Sequence, residues 1–340
     1  MSFTVTVSPS GHQFQVEENE LILEAAMRQN VGLPYGCRGG RCGACVTGLV
    51  DGAVSYPGGA PAALESEGEG KCVPCQAFAE SDLTLEVREA ETPADIEVKM
   101  LPCRVHQIDH LAHDVVRLLL KLPDSQRLQF QAGQYLNFVL ADGRFRAFSI
   151  ANAPHDDNFI ELHIRHVDGG EFTDWVFSQM KDKSILRIQA PLGTFVLDEQ
   201  SERPMVFIGG GTGFAPLKGQ IEHAFFSGIE RPMTLYWGVR SKRDLYLPEL
   251  PQQWAAEHPN FKFIPVLSEP DADWDGRDGF VHEAVMADID DLTGHDIYMA
   301  GPPVMVRAGR DAFRAAGVDD AQMHYDAFEY AEDTRDKADP

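Results

Sequence analysis

Basic residues are scarce in this 340-residue chain: 29 lysines and arginines face 53 aspartates and glutamates, a formal net charge of -24. Such a surface repels nucleic-acid phosphates and anionic lipid headgroups, and it suits a basic protein partner better. Long apolar runs are missing too; none approaches the length of a membrane span. The opening MSFTVTVSPS lacks the positive start and apolar core of a secretory signal. No segment repeats, and no serine, histidine and acid stand at a recognisable nucleophile turn, so hydrolysis has no support. These absences imply a soluble cytoplasmic protein. In a reducing compartment its clustered cysteines point to metal or redox chemistry more than to disulfides.

Periodicity divides the chain into successive parts. Within residues 1–90, FTVTV and HQFQV alternate and are joined through Pro9 and Gly11, which predicts a hairpin. A helix follows, with Asn19 as its cap and Leu21, Ile22, Ala25 and Ala26 on one face. A glycine-rich cysteine loop and an exit strand, LTLEV, complete this part. Residues 91–100, ETPADIEVKM, are polar and read as a linker. Over 101–200 the strands VVRLLLKL, GQYLNFVL, FRAFSIA, FIELHIRHV and SILRIQA, with one helix at TDWVFSQM, predict a small antiparallel β-barrel. From 201 to 330, strand, glycine turn and helix recur, which predicts a parallel sheet covered by helices. The charged residues 331–340 read as a disordered acidic tail.

The segment GCRGGRCGAC, residues 36–45, and KCVPC, residues 71–75, hold five of the six cysteines. Cys42, Cys45, Cys72 and Cys75 would make paired C-x2-C knuckles around zinc. Cys37, Cys42 and Cys45 with a distant fourth thiol would instead make the C-x4-C-x2-C arrangement of a plant-type [2Fe-2S] cluster. Zinc knuckles need no glycine run and leave Cys37 unexplained. Inorganic sulfides want backbone N–H donors from a loop that wraps closely, and Gly36, Gly39, Gly40 and Gly43 permit that approach. The glycines favour the cluster.

PYGCRGGRCGAC followed by CVPCQAF resembles the plant-type ferredoxin domain of bacterial iron-sulfur flavoprotein reductases, which implies a β-grasp domain at the amino terminus. In that family the fourth ligand is a cysteine followed by glutamine. The resemblance therefore implies Cys37, Cys42, Cys45 and Cys75 as ligands, with Cys72 a small, partly buried neighbour. Cys103, in LPCRV, reads as a structural thiol.

Arg146 to Ser149, RAFS, and Gly169 to Trp175, GGEFTDW, resemble the flavin motifs of the ferredoxin-NADP reductase superfamily. The resemblance implies that Arg146 clamps a flavin phosphate with its planar donor fork, beside Ala147. Phe148 would lie against the isoalloxazine ring and Ser149 near its N5. Gly169, Gly170 and Thr173 open a helix whose N–H groups and dipole suit a pyrophosphate. His163 belongs to this candidate set as well. Relatives with the cluster domain placed first bind FAD, whereas simpler flavin reductases of the superfamily hold flavin loosely.

IGGGTGFAP, Ile208 to Pro216, follows an apolar strand and resembles the pyridine-nucleotide loop of the same superfamily, with Gly210, Gly211, Thr212 and Gly213 as contacts and Pro216 beginning a helix. YMAGPPVMV resembles its second nicotinamide loop, which brings in Gly301 and Pro302, and YDAF its terminal aromatic, Phe328, over the flavin. In GVRSKRDLY, Arg240, Lys242 and Arg243 could accept a 2'-phosphate and Asp244 a free hydroxyl. Cluster-bearing relatives mostly use NADH, so NADH is the expected donor, with NADPH the alternative.

Nicotinamide gives two electrons as a hydride, and a [2Fe-2S] centre accepts them singly; a flavin between the two can split the pair. The resemblance implies an NAD(P)H-dependent oxidoreductase in which Ser149 and Phe328 flank the hydride transfer and electrons leave through the cluster to a partner protein. LPCRV, RAFSIAN and HIRHVDGG most resemble CDP-6-deoxy-glucoseen reductases, which feed a sugar dehydrase; oxygenase reductase components share the architecture. The alternatives are a free flavin or quinone reductase without a protein partner and a redox-sensing nucleotide-binding module.

Overall fold

Alternating apolar residues in FTVTVS and QFQV bury Val5, Val7, Phe14 and Val16 on one face of an antiparallel pair, β1 (Phe3–Ser8) and β2 (Gln13–Val16). The computed structural model describes residues 2–65, 67–89 and 96–328; most of the sequence-read linker, residues 91–95, and the tail 331–340 lie outside the described residues. Two units are distinguished, residues 1–96 with Gly193–Phe195 and the remainder of the chain.

In the first unit ILEAAMR forms α1 (Ile22–Arg28), free of glycine and proline, with Glu24 in its first turn and Arg28 in its last to match the helix dipole. Asn19 is not its cap. The cap position is Leu21, because Leu21 bridges to Phe78 and Ile22 N–H donates to Ala77 O, and Asn19 turns the chain before it at φ +63. Asn30, at φ +58, ends the helix. The remaining strands are β3 (Thr47–Asp51), β4 (Val54–Ser55), β5 (Lys71–Cys72), β6 (Phe78–Ala79) and β7 (Leu83–Glu86). The main sheet runs β2-β1-β7-β3-β5, with β1 parallel to β7. Ile22, Leu23, Ala25 and Ala26 share one core with Val5, Val7, Leu83 and Leu85, so the sheet grips the helix as a β-grasp. Each large aliphatic side chain buried there stabilises by about 1.5–3 kcal/mol.

The second unit opens with β8 (Lys99–His110), which begins inside the segment read as linker because Leu101, Cys103 and Val105 alternate inward. It continues with β9 (Val115–Lys121), β10 (Tyr135–Val139), β11 (Phe145–Ser149), β12 (Ile160–Arg165), α2 (Glu171–Ser178) and β13 (Ile185–Leu192). Six antiparallel strands run β11-β10-β13-β8-β9-β12, and a bridge from Ile150 to Leu162 joins the two edge strands into a barrel. Leu118, Leu136, Phe138, Leu162 and Ile188 fill it.

Beyond the barrel, β14 (Met205–Gly210), α3 (Phe214–Phe226), β15 (Met233–Val239), α4 (Glu249–Glu257), β16 (Phe261–Leu267), β17 (Arg277–Asp278), α5 (Val281–Asp288), β18 (Asp296–Gly301), α6 (Pro303–Ala315) and β19 (Met323–Ala327) follow. The sheet is wholly parallel in the order β17-β16-β15-β14-β18-β19. Strand order reverses beside β14, so the carboxyl ends of β14 and β18 flank a crevice, the place where such sheets bind ligands.

Candidate functional site

Four thiols stand as two pairs. Cys45 and Cys75 sulfurs are 3.3 Å apart, and the Cys37 and Cys42 thiols are hydrogen-bonded to each other. Cys37 N–H donates to Cys42 Sγ (3.4 Å), and Gly39 and Cys42 N–H donate to Cys37 Sγ (3.3 and 3.5 Å). The Cys42 thiol, helped by the Arg41, Cys42 and Gly39 amides and opposed by burial, holds Cys37 down at about 5. Cys75 is lowered by its bond from Cys45. One thiol of each pair is thus shifted toward the thiolate, the form that binds metal. Among the described residues no group of three or more His, Cys, Asp or Glu side chains is arranged to hold a single metal ion. Two pairs of thiols with N–H donors around them fit two irons rather than one zinc. Gly40, at φ +74, lies where a Cβ would come 2.8 Å from Gln76 Cγ, and Gln76 Nε2 donates to Arg38 O (2.9 Å) and Cys75 O (2.8 Å), closing the loop. Cys72, fully buried in β5, stands outside both pairs; burial pushes its thiol up to about 12.

On β11, Arg146, Ala147, Phe148 and Ser149 pair with Phe138, Asn137, Leu136 and Tyr135 of β10. Phe148 is half-buried, its ring 5.7 Å from Phe138 and 5.6 Å from Phe172 of α2, so one aromatic face is backed by the barrel. Arg146 is also half-buried, and its Nη1 donates to Phe145 O (3.0 Å). Gly169 has φ +71 and Gly170 caps α2. The Thr173 hydroxyl donates to Val167 O (3.1 Å) and Gly170 O (3.2 Å) and accepts from Val167 N–H (3.1 Å), which braces the loop. First-turn N–H groups of α2 have no intrahelical acceptor, as a pyrophosphate requires. Arg144, absent from the sequence reading, donates to Glu171 (2.6 Å) and to Asp142 (2.5 Å), pinning the β10–β11 turn to α2.

His163 does not belong to this set. Its side chain is wholly buried, Nε2 is 2.8 Å from Glu161 Oε1 and Nδ1 is 3.0 Å from Tyr246 Oη, so both ring nitrogens are taken by protein partners. Residue identity showed only a strand histidine; its second partner, Tyr246, comes from 83 positions away.

At the crevice, Gly211–Gly213 make a 3-10 turn between β14 and α3, and the helix begins at Phe214, two residues before Pro216. Trp237 Nε1 donates to Gly211 O (2.9 Å), and its ring stacks on Phe214 at 4.2 Å. A Cβ on Gly213 would lie 1.9 Å from Ala300 O, so the turn after β14 approaches β18 as closely as backbone allows. The Arg165 guanidinium, another group the sequence reading missed, lies against Gly211. Thr212 is half-buried at this turn. Phe328 N–H donates to Gly301 O (2.9 Å) beside Pro302, and Ala300 pairs with Asp326, whose carboxylate accepts from the Ser149 hydroxyl (3.4 Å). Ser149, Phe328 and Gly301 thus gather at one place, where the barrel meets the nucleotide crevice. Arg240 is exposed at the end of β15. Asp244 differs from expectation: it is buried, and Oδ2 accepts from Ser241 N–H (2.9 Å) and Oγ (3.0 Å) as a capping box, so that oxygen is not available to a ribose hydroxyl.

Thiolate pairs, an aromatic face beside a helix terminus, and a glycine turn at a strand-order reversal define an electron-transfer oxidoreductase. Three family models match in the same order: a 2Fe-2S iron-sulfur cluster binding domain over residues 5–80, an oxidoreductase FAD-binding domain over 102–197 and an oxidoreductase NAD-binding domain over 207–311. The CDP-6-deoxy-L-threo-D-glycero-4-hexulose-3-dehydrase reductase of Yersinia pestis is 36% identical over 328 residues, 96% of this chain and 99% of that one. The phenol 2-monooxygenase reductase component DmpP of Pseudomonas sp. strain CF600 is 36% identical over 320 residues, 91% of this chain and 89% of that one. Among solved structures, Amycolatopsis cytochrome P450 reductase GcoB superposes with TM-score 0.78 at 35% identity, covering 96% of this chain and 98% of that one. The chain belongs to the family of [2Fe-2S] ferredoxin-containing flavoprotein reductases. Its cofactors are a [2Fe-2S] cluster, FAD and a nicotinamide dinucleotide, and it passes electrons in the order nicotinamide, flavin, cluster, partner. Among the described residues no helix is long and apolar enough to cross a membrane.

Proposed function

We propose that this protein is the reductase component of a two-component system and delivers electrons to a separate dehydrase acting on a nucleotide-linked deoxysugar. The observation that carries this reading is the end-to-end match to the Yersinia dehydrase reductase. A second reading, supply of an oxygenase component, is favoured by the nearly equal match to DmpP. Cys37, Cys42, Cys45 and Cys75 hold the cluster. Arg146 and the α2 terminus hold the FAD phosphates, Phe148 lies on the flavin ring, and Ser149 and Phe328 border the hydride path. Gly210, Gly211, Thr212 and Gly213 take the coenzyme on one side of the crevice, Gly301 and Pro302 on the other.

NADH is the proposed donor: Asp244, buried and held by its capping box in the loop after β15, puts a negative charge where a 2'-phosphate would sit. Association with the acceptor is transient and electrostatic, between this acidic chain and a basic patch, and takes place in the cytoplasm, where the six free cysteines stay reduced. The test is NADH-driven reduction of purified dehydrase and oxygenase partners at low and high salt. Electron delivery to the dehydrase, weakened by salt, is expected. Delivery to the oxygenase alone would select the second reading, and reduction of free flavin or quinone with delivery to neither would overturn both.

A further inference from the structure

A chain of buried polar groups, outside the sites above, joins the barrel to the nucleotide-binding part. Lys218 lies one helical turn after the nucleotide loop, in α3, and is 6% exposed. Its Nζ donates to Glu222 Oε2 (3.0 Å) on its own helix, and across to Glu161 Oε2 (3.2 Å) and Ala151 O (3.3 Å) of the barrel. Glu161 Oε1 meets His163 Nε2, and His163 Nδ1 meets Tyr246 Oη, which returns the chain to the nucleotide side. Burial alone would raise the Glu161 carboxyl; the His163 bond and the Lys218 charge override it and hold it at about 2.

The ends of this chain are informative. Ala151 stands two residues after Ser149, and its N–H donates to Glu161 O (2.8 Å), so Lys218 grips the backbone that carries the flavin strand. Tyr246 packs edge-on against Trp237, 5.0 Å between centroids, and Trp237 bonds the nucleotide loop at Gly211. Gly219, next to Lys218, lies so close to the barrel that a Cβ would be 3.0 Å from Asn152 O.

We propose that Lys218 and Tyr246 are positioning residues that clamp Glu161 and His163 of β12, holding the nicotinamide loop in register with the flavin strand for hydride transfer. The proposal rests on the electron route given above. A pair of charges could have been replaced by apolar packing at little cost, so stability alone does not account for it. Hydride transfer requires reacting atoms within a few tenths of an ångström of their proper place, and misplacement by about 1 Å costs on the order of 100-fold in rate.

The test uses holoenzyme carrying FAD and cluster, as wild type, Lys218→Met and Tyr246→Phe. Flavin reduction is followed anaerobically by stopped flow over a range of NADH. The charge-transfer absorbance formed when NAD+ is added to the dithionite-reduced protein reports ring stacking without turnover. Lys218→Met is expected to lower the limiting rate at least about tenfold and Tyr246→Phe about threefold. The NADH dissociation constant should stay within about twofold and the charge-transfer band should weaken in the same order. Unchanged rate and band would overturn the proposal, as would a loss carried wholly by NADH affinity. If Lys218→Met does not fold, Tyr246→Phe, which removes one hydroxyl and keeps the ring, decides. A wild type that NADH cannot reduce would overturn the electron route instead.

Discussion

The Ser149 hydroxyl donates to Asp326 Oδ2 at 3.4 Å, joining the last residue of β11 to β19. One residue comes from the barrel and the other from the final strand of the parallel sheet, so under the proposed function their meeting borders the hydride path. Removing the hydroxyl by Ser149→Ala is expected to slow flavin reduction by NADH about tenfold, the worth of roughly 1.4 kcal/mol of transition-state interaction, with FAD content unchanged. Single-turnover absorbance at the flavin band checks this; an unchanged rate would remove Ser149 from the hydride path.

Cysteine substitutions should separate the ligands from their neighbour. Cys75→Ser breaks the 3.3 Å pair with Cys45 and is expected to abolish the brown colour and the EPR signal of the reduced cluster. Cytochrome c reduction should go with it, while ferricyanide, a small one-electron oxidant that reduced flavin can reach directly, is still reduced, two per NADH. Cys72→Ser should keep cluster, colour and EPR signal, and cost about 1–3 kcal/mol of stability for a hydroxyl buried without a partner. Loss of the signal in Cys72→Ser with retention in Cys75→Ser would reverse the assignment.

Gly213 tests the crevice. A methyl group there would sit 1.9 Å from Ala300 O, and the turn has little room to retreat because it is held between α3 and β14, which is paired with both β15 and β18. Gly213→Ala should cost roughly 1–3 kcal/mol or more in thermal or denaturant unfolding. NADH should reduce its flavin poorly, although dithionite still reduces flavin and cluster.

Acid should loosen the barrel and its nucleotide-binding neighbour. Burial lowers the His163 pKa from its ordinary 6.5, so the folded state takes up its proton later than the unfolded one. Below about pH 6.5 the unfolded chain binds more protons, and stability falls by up to about 1.4 kcal/mol per pH unit from this group. Glu161 acts in the same direction lower down. Its folded pKa is depressed from 4.5 to about 2, so its contribution is complete above about 4.5 and is lost as pH falls toward 2. Replacing His163 by Gln should flatten unfolding free energy against pH between about 5 and 6.5; an unchanged slope would show that His163 does not set it.

Much of this protein was written in local pattern. Period-two alternation marked most barrel strands, and the strand, glycine and helix succession marked the parallel sheet, because backbone geometry puts alternate or every third and fourth side chain on one face. β8 escaped notice, as its charges and Pro102 hid the inward series Leu101, Cys103 and Val105. Asn19 misled for a related reason: asparagine serves caps and left-handed turns equally well, and only the Leu21–Phe78 bridge decides between them.

By itself, then, the sequence determined the three-part architecture and the order of cofactors, and its family resemblance implied the four thiols proposed as ligands, because local period and spacing carry that information. Tertiary structure alone decided that Asp244 is held in a capping box, that His163 is sealed between Glu161 and Tyr246, and that Asp326 reaches Ser149. Those relations join residues up to 177 positions apart, and which side chains face each other across packed sheets depends on register and burial, which no local pattern carries.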